Sequence, residues 1–104
     1  MGQLQFDAGN TEKDLQALPK DVLERFVMDF ELMMVGEKPL SRSKQMNGLG
    51  KGVCELIKNG RPAYRCVYTI KNNVIHVLHV FTKTSDGTDK KHEDKIKLRY
   101  KSLN

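Results

Sequence analysis

The sequence predicts an α+β fold, a small twisted antiparallel sheet with N-terminal helices packed on one face and a further helix at the C-terminal end. Three observations predict it. An apolar stripe recurs at three- and four-residue intervals from Val22 to Met34, three runs rich in Val, Ile, Tyr and Phe follow, and turn-forming residues separate the runs. With 104 residues the chain can bury one modest core, so residues 1–104 are read as a single domain.

Each element has its own signal. Asn10 or Thr11 can cap a short helix through Leu18, and Pro19 suits the first turn of a second, longer one. In that second helix Val22, Leu23, Phe26, Val27, Phe30, Met33 and Met34 share a face, read as core, and Gly36 ends it. From Gly36 to Lys51 hydrophobic periodicity lapses, which predicts a loop. Strands are predicted at Val53–Ile57, Ala63–Ile70 and Val74–Phe81, with turns at Asn59–Pro62 and Asn72–Asn73, so that two hairpins form an antiparallel meander. After the loop TSDGTD, Thr88 or Asp89 can cap a C-terminal helix that buries Ile96, Tyr100 and Leu103 and keeps Lys91, Lys95, Lys97 and Lys101 in solvent. The helices are expected to cover one sheet face and leave the other as a concave surface.

Charge divides the chain. Met1 to Ser41 holds 4 Lys/Arg against 8 Asp/Glu, whereas the remainder holds 14 against 5, so the overall +5 is concentrated in the C-terminal part. Such asymmetry favours a polyanionic partner, the plainer reading being a solvated surface. The longest apolar run falls far short of a membrane span. The N-terminus has neither the basic start nor the apolar segment of a secretory signal. A cytoplasmic protein is therefore expected, with Cys54 and Cys66 reduced and packed as small hydrophobes.

Strand alternation sets the candidate site. Arg65, Val67 and Thr69 share one face, Glu55 lies with Val53 and Ile57, and His79, Phe81 and Lys83 point the same way. Glu55, Arg65 and His79 are thus expected on the face away from the second helix, with Arg61 and Lys51 at its rim. A cross-strand ion pair between Glu55 and Arg65 is the plainer alternative. The set suits RNA cleavage without a metal, because the 2′-hydroxyl is a built-in nucleophile. The protein then needs a base, cations for the phosphorane and an acid for the departing 5′-oxygen. Glu55 could be the base, Arg61 and Arg65 the cations, and His79 or Lys83 the acid.

No cofactor is expected. His76 and His79 are three apart on a strand and should face opposite ways, His92 lies on another element, and the two cysteines lack CxxC spacing. GLGKG leads into a strand instead of a helix, so it is no phosphate loop, and there is no GxSxG elbow.

The run LPKDVLERFVMDFELMMVG, then NGLGKGVCELIKNGRPAYRCVYTIKNNVIHVLHVFTKT and the basic helix after TSDGTDKKHED, resembles the phage-derived RelE/HigB-like toxins of type II toxin–antitoxin modules in the RelE/ParE superfamily. The similarity runs from about Leu15 to Leu103, and GLGKGVCEL, YRCVY and LHVFTKT carry it by their order and spacing. It implies a microbial RNase fold and a toxin that cuts messenger RNA, usually in the decoding site of the 70S ribosome. It also implies a co-encoded antitoxin, often a helix-turn-helix protein, that blocks the toxin and links it indirectly to operator DNA. By this resemblance Arg65 is the phosphate-binding arginine and Lys83 the basic residue past the last long strand. Glu55 and Lys51 match positions typical of the branch, while Lys90, Lys91 and Lys95 would contact ribosomal RNA. The sequence departs from the pattern at Thr84 and Asp89, where a basic residue and a proline are common. Glu55 stands in a strand where RelE carries lysines, and Tyr100 is set in a stripe that reads as buried.

Two other functions fit the same fold. One is ParE-like inhibition of DNA gyrase, which does not obviously need Glu55 and His79 beside the arginines. The other is a non-catalytic RNA-binding module, for which no exposed aromatic platform is evident.

Overall fold

Asn72 and Asn73 adopt φ of 51° and 65°, the left-handed pair that a two-residue hairpin turn requires and that asparagine tolerates best after glycine. They join β4 (Ala63–Lys71) to β5 (Val74–Lys83) in a computed structural model that describes residues 2–6, 10–83 and 90–103. β3 (Cys54–Lys58) pairs antiparallel with β4, completing the expected meander.

Two further strands were not foreseen. β1 (Gln3–Gln5) runs parallel to the start of β5, and β2 (Arg42–Gln45) lies antiparallel to β3 inside the stretch expected to be loop. The sheet therefore has five strands in the order β1-β5-β4-β3-β2. Neither short strand shows an apolar alternation. Gln-Leu-Gln is too brief for a period to register, and all four residues of β2 are exposed.

The helices form as their stripes dictate. α1 spans Thr11–Gln16 and α2 spans Lys20–Met34, with Pro19 at the N-cap, one position before the expected first turn. Gly36 ends α2 in the left-handed region at φ 85°; its N–H donates to Met33 at 3.1 Å and that of Glu37 to Leu32 at 2.8 Å. This is the paired bond of a Schellman stop. α3 spans Lys90–Lys101. The proposed caps Thr88 and Asp89 lie outside the described residues.

One face of the sheet packs Leu56, Cys66, Tyr68, Ile75, Val77 and Val80 against Leu15 of α1 and Val22, Phe26 and Phe30 of α2. The other face is not left open, contrary to expectation. α3 lies on it, burying Ile96 completely with Leu49, Val53, Val67, Leu78 and Phe81, and with Tyr100 and Leu103 at the margin. The stripe on α3 needed apolar cover, and this face supplied the remaining apolar area. The result is three layers, helix–sheet–helix.

Gly50 of GLGKG serves that docking. A Cβ on Gly50, whose φ is 141°, would lie 2.7 Å from the Tyr100 ring. The Tyr100 hydroxyl donates to the Lys51 carbonyl at 3.1 Å, and the Thr69 hydroxyl donates to the Gly52 carbonyl at 3.0 Å. The Lys71 ammonium sits 4.4 Å from the centre of the Tyr100 ring.

Candidate active site under the C-terminal helix

Register fixes which side chains meet on the α3 side. Arg42, Ile57, Arg65 and Phe81 form one cross-strand row, and Lys44, Glu55, Val67 and His79 form the next. Lys83, two residues beyond Phe81, falls on the same face past the first row. Glu55, Arg65, Lys83 and His79 thus share the face that alternation assigns them. Adjacent strands are about 4.8 Å apart, which puts Arg65 one diagonal step from Glu55 and another from Lys83.

The ion pair between Glu55 and Arg65 does not form. Glu55 is 6% exposed, its Oε2 is buried without a hydrogen-bond partner, and the Nε and Nη1 of Arg65 are buried in the same condition. Among the described residues the ion pair formed is Lys20 with Glu24, on the opposite layer. A buried polar atom without a partner costs on the order of 1–3 kcal/mol, and more when charged. Three of the five such side-chain atoms among the described residues lie in these adjoining rows; the other two, Thr11 Oγ1 and Asp29 Oδ2, belong to α1 and α2.

Glu55 also lines a cleft of about 200 Å³ whose other walls include Lys44, Met46, Leu49 and Glu93. Glu93 comes from the first turn of α3. Arg42, Lys44 and Glu93 were missed in the sequence. The two cations belong to a strand without an apolar pattern, and placing Glu93 needed the knowledge that α3 crosses this face.

His79 is held differently. It is 4% exposed, and its Nδ1 lies 3.0 Å from an Arg99 guanidinium nitrogen. A guanidinium can only donate, so His79 Nδ1 accepts, its proton sits on Nε2, and that proton goes to His92 Nδ1 at 2.7 Å. Burial, then the electrostatic influence of Arg99, of the His92 ring and of Lys95, lowers its pKa from 6.5 to about 4. Val67 separates it from Glu55 in the row. A neutral imidazole with both nitrogens engaged is not a proton donor to a leaving group, so the acid role considered for His79 does not suit its setting.

His76 and His79 were expected to point opposite ways and do not. A bulge between Val67 and Tyr68 shifts the ladder, so His79 pairs with Val67 and His76 with Thr69, both on the α3 face. Even so, no three His, Cys, Asp or Glu side chains converge in metal-binding fashion among the described residues. Cys54 and Cys66 are free thiols, and burial pushes both pKa values up.

The remaining candidates scatter. Arg61 is exposed in the β3–β4 turn, and Lys51 is exposed before β3, so they stand at opposite ends of that strand and do not rim one site. Lys90, Lys91 and Lys95 are exposed on α3, and Lys95 lines a second cleft with His79, Phe81 and His92. No helix among the described residues is long and apolar enough to cross a membrane.

Residues 13–101 match the family described as phage derived protein Gp49-like (DUF891), which takes in all of α2, β2–β5 and α3. No curated protein matches the chain. With nearly its whole length accounted for by that match, the chain belongs to the phage-derived Gp49-like family, a toxin-like family of toxin–antitoxin systems.

Proposed function

We propose that the protein is the toxin of such a module and acts as a RelE/HigB-like endoribonuclease, cutting messenger RNA on the ribosome. The observation that carries this reading is that Glu55 and Arg65, opposite in charge, stand one diagonal step apart on one sheet face while Glu55 Oε2 and Arg65 Nε and Nη1 are buried atoms without partners. An RNA phosphate beside a 2′-hydroxyl would satisfy both. Its oxygens accept from the guanidinium, and its neighbouring hydroxyl donates to the carboxylate.

In the proposed reaction Glu55 removes the 2′-hydroxyl proton as that oxygen attacks phosphorus. Arg65 bears the charge that builds on the phosphorane oxygens, and the bond to the 5′-oxygen breaks as Lys83 delivers a proton to it. The products are a 2′,3′-cyclic phosphate and a free 5′-hydroxyl. Arg42 and Lys44 extend the cationic track along β2, and the lysines of α3 face solvent where ribosomal RNA would lie. The partners of this reading are messenger RNA, the 70S ribosome and a cognate antitoxin.

The test is to add purified protein to a translating extract and map messenger RNA 5′ ends by primer extension. New, codon-phased ends are expected, with Arg65→Ala reducing them at least about 100-fold, as loss of a transition-state cation does. Intact message with the unaltered protein would overturn the reading and direct attention to a gyrase supercoiling assay.

A further inference from the structure

Three rings lie together where α3 meets β5. His79 and Phe81 are stacked at 5.2 Å between centres and 23° between planes, Phe81 and His92 at 4.3 Å and 20°, and His79 and His92 stand 4.9 Å apart. The two sheet rings are buried and His92 is half-buried, so its imidazole is the outermost of the group. All three line a cleft of about 370 Å³, bounded across from them by Asp14, Ala17 and Leu18 near the end of α1 and flanked by Lys95. Among the described residues β1 pairs with β5 only from Val74 to His76, and the cleft opens beside the stretch of β5 beyond that pairing.

The outer ring is held in a fixed orientation. Arg99 donates to His79 Nδ1, and His79 Nε2 donates to His92 Nδ1. The plane of His92 is thus set from behind by a hydrogen-bond chain and from beneath by Phe81. Phe81 is also the register partner of Arg65 on β4, so the ring group and the guanidinium stand on adjacent strands.

We infer that this cleft is a nucleobase-binding site, with the His92 imidazole as its stacking platform, for a base adjoining the phosphate held by Arg65. A flat aromatic platform, an apolar wall at Leu18, a cation at Lys95 and a carboxylate at Asp14 are the complement of a nucleobase, which offers a π-face and polar edges. His79 and Arg99 are positioning residues. Arg99 holds His79 and His79 holds His92, and because His79 stays neutral above about pH 4 the chain holds at physiological pH. The inference rests on the ribonuclease reading and adds a base-contacting subsite to it.

A short single-stranded RNA carrying 2-aminopurine tests it, with affinity read by anisotropy and stacking by quenching of the fluorescent base. The unaltered protein should bind and quench. His92→Ala should weaken binding about tenfold or more and abolish quenching, the range for loss of one stacked base, whereas His92→Phe should restore both. Thermal melts of both variants establish that they fold. Binding that depends on Arg65 yet is indifferent to His92→Ala would overturn the subsite and leave the ribonuclease reading standing. A His92→Phe variant as weak as His92→Ala would overturn stacking. No binding at all by the unaltered protein would also overturn the subsite, and cleavage in the translating extract then decides the ribonuclease reading separately.

Discussion

Asp29 and Glu55 are buried carboxylates on opposite sides of the same sheet; each leaves one oxygen without a hydrogen-bond partner, Oδ2 and Oε2, but among the described residues only Asp29 uses its other oxygen within the chain. Asp29 projects from α2, fully buried, and its Oδ1 accepts the backbone N–H of Leu40 at 2.7 Å and of Ser41 at 3.2 Å. It fastens the segment that leads into β2, which Arg25 secures further by donating to the Ser41 hydroxyl at 3.1 Å. Glu55 is almost as buried and makes no hydrogen bond or ion pair among the described residues. A carboxylate that stabilises a fold is met by donors on its own chain. The reaction proposed above gives Glu55 a partner from outside, the 2′-hydroxyl of RNA.

Three substitutions can break or sharpen this contrast. Asp29→Ala frees the amides of Leu40 and Ser41, the second of them buried, and should cost about 2 kcal/mol in urea denaturation while cleavage per folded molecule is retained. A loss below about 1 kcal/mol would erase the difference between the two acids.

The next effect depends on pH. The folded-state pKa of His79, lowered to about 4, lies below the ordinary 6.5, so the unfolded chain takes up the proton first as pH falls. Its contribution is fully present above pH 6.5 and is lost progressively toward pH 4, on the order of 2 kcal/mol. The groups facing it are Arg99, His92 and Lys95 of α3, with Asp14 on the far side of the cleft. His79→Leu should flatten the stability profile across that window, and an unchanged slope would show that other groups set it.

The smallest stability effect is expected at Glu55. Glu55→Gln removes an unmet buried carboxylate and should leave stability unchanged or raise it by about 1 kcal/mol, while cleavage falls about 100-fold. If it instead destabilises the protein as Asp29→Ala does, Glu55 is structural and the contrast fails.

The parts of the fold legible in the sequence were those that bury one face against an apolar layer. The spacing of Val22, Phe26 and Phe30 announces a helix, and the Val, Ile and Tyr runs either side of Asn72 and Asn73 announce a hairpin. β1 and β2 stayed hidden because they join the sheet at its edges through main-chain pairing, with little side-chain burial to leave a pattern. The stripe of Ile96, Tyr100 and Leu103 showed that α3 buries a face but could not say against which side of the sheet.

The site follows the same rule. Period-two alternation was enough to put Glu55, Arg65 and Lys83 on one face. It failed at His76, where the bulge adds a residue and reverses the parity, and it could not bring His92 or Glu93 over the sheet from a separate helix.

The parallel pairing of β1 with β5 joins Gln3 to Val74 across most of the chain, whereas β3, β4 and β5 are linked by short turns. Closing that long loop carries an entropic cost that the central hairpins avoid, and the three-residue strand returns few contacts for it. Loop closure therefore favours a sheet that assembles outward from its middle, and hydrogen exchange is expected to find the N-terminal strand the least protected of the five.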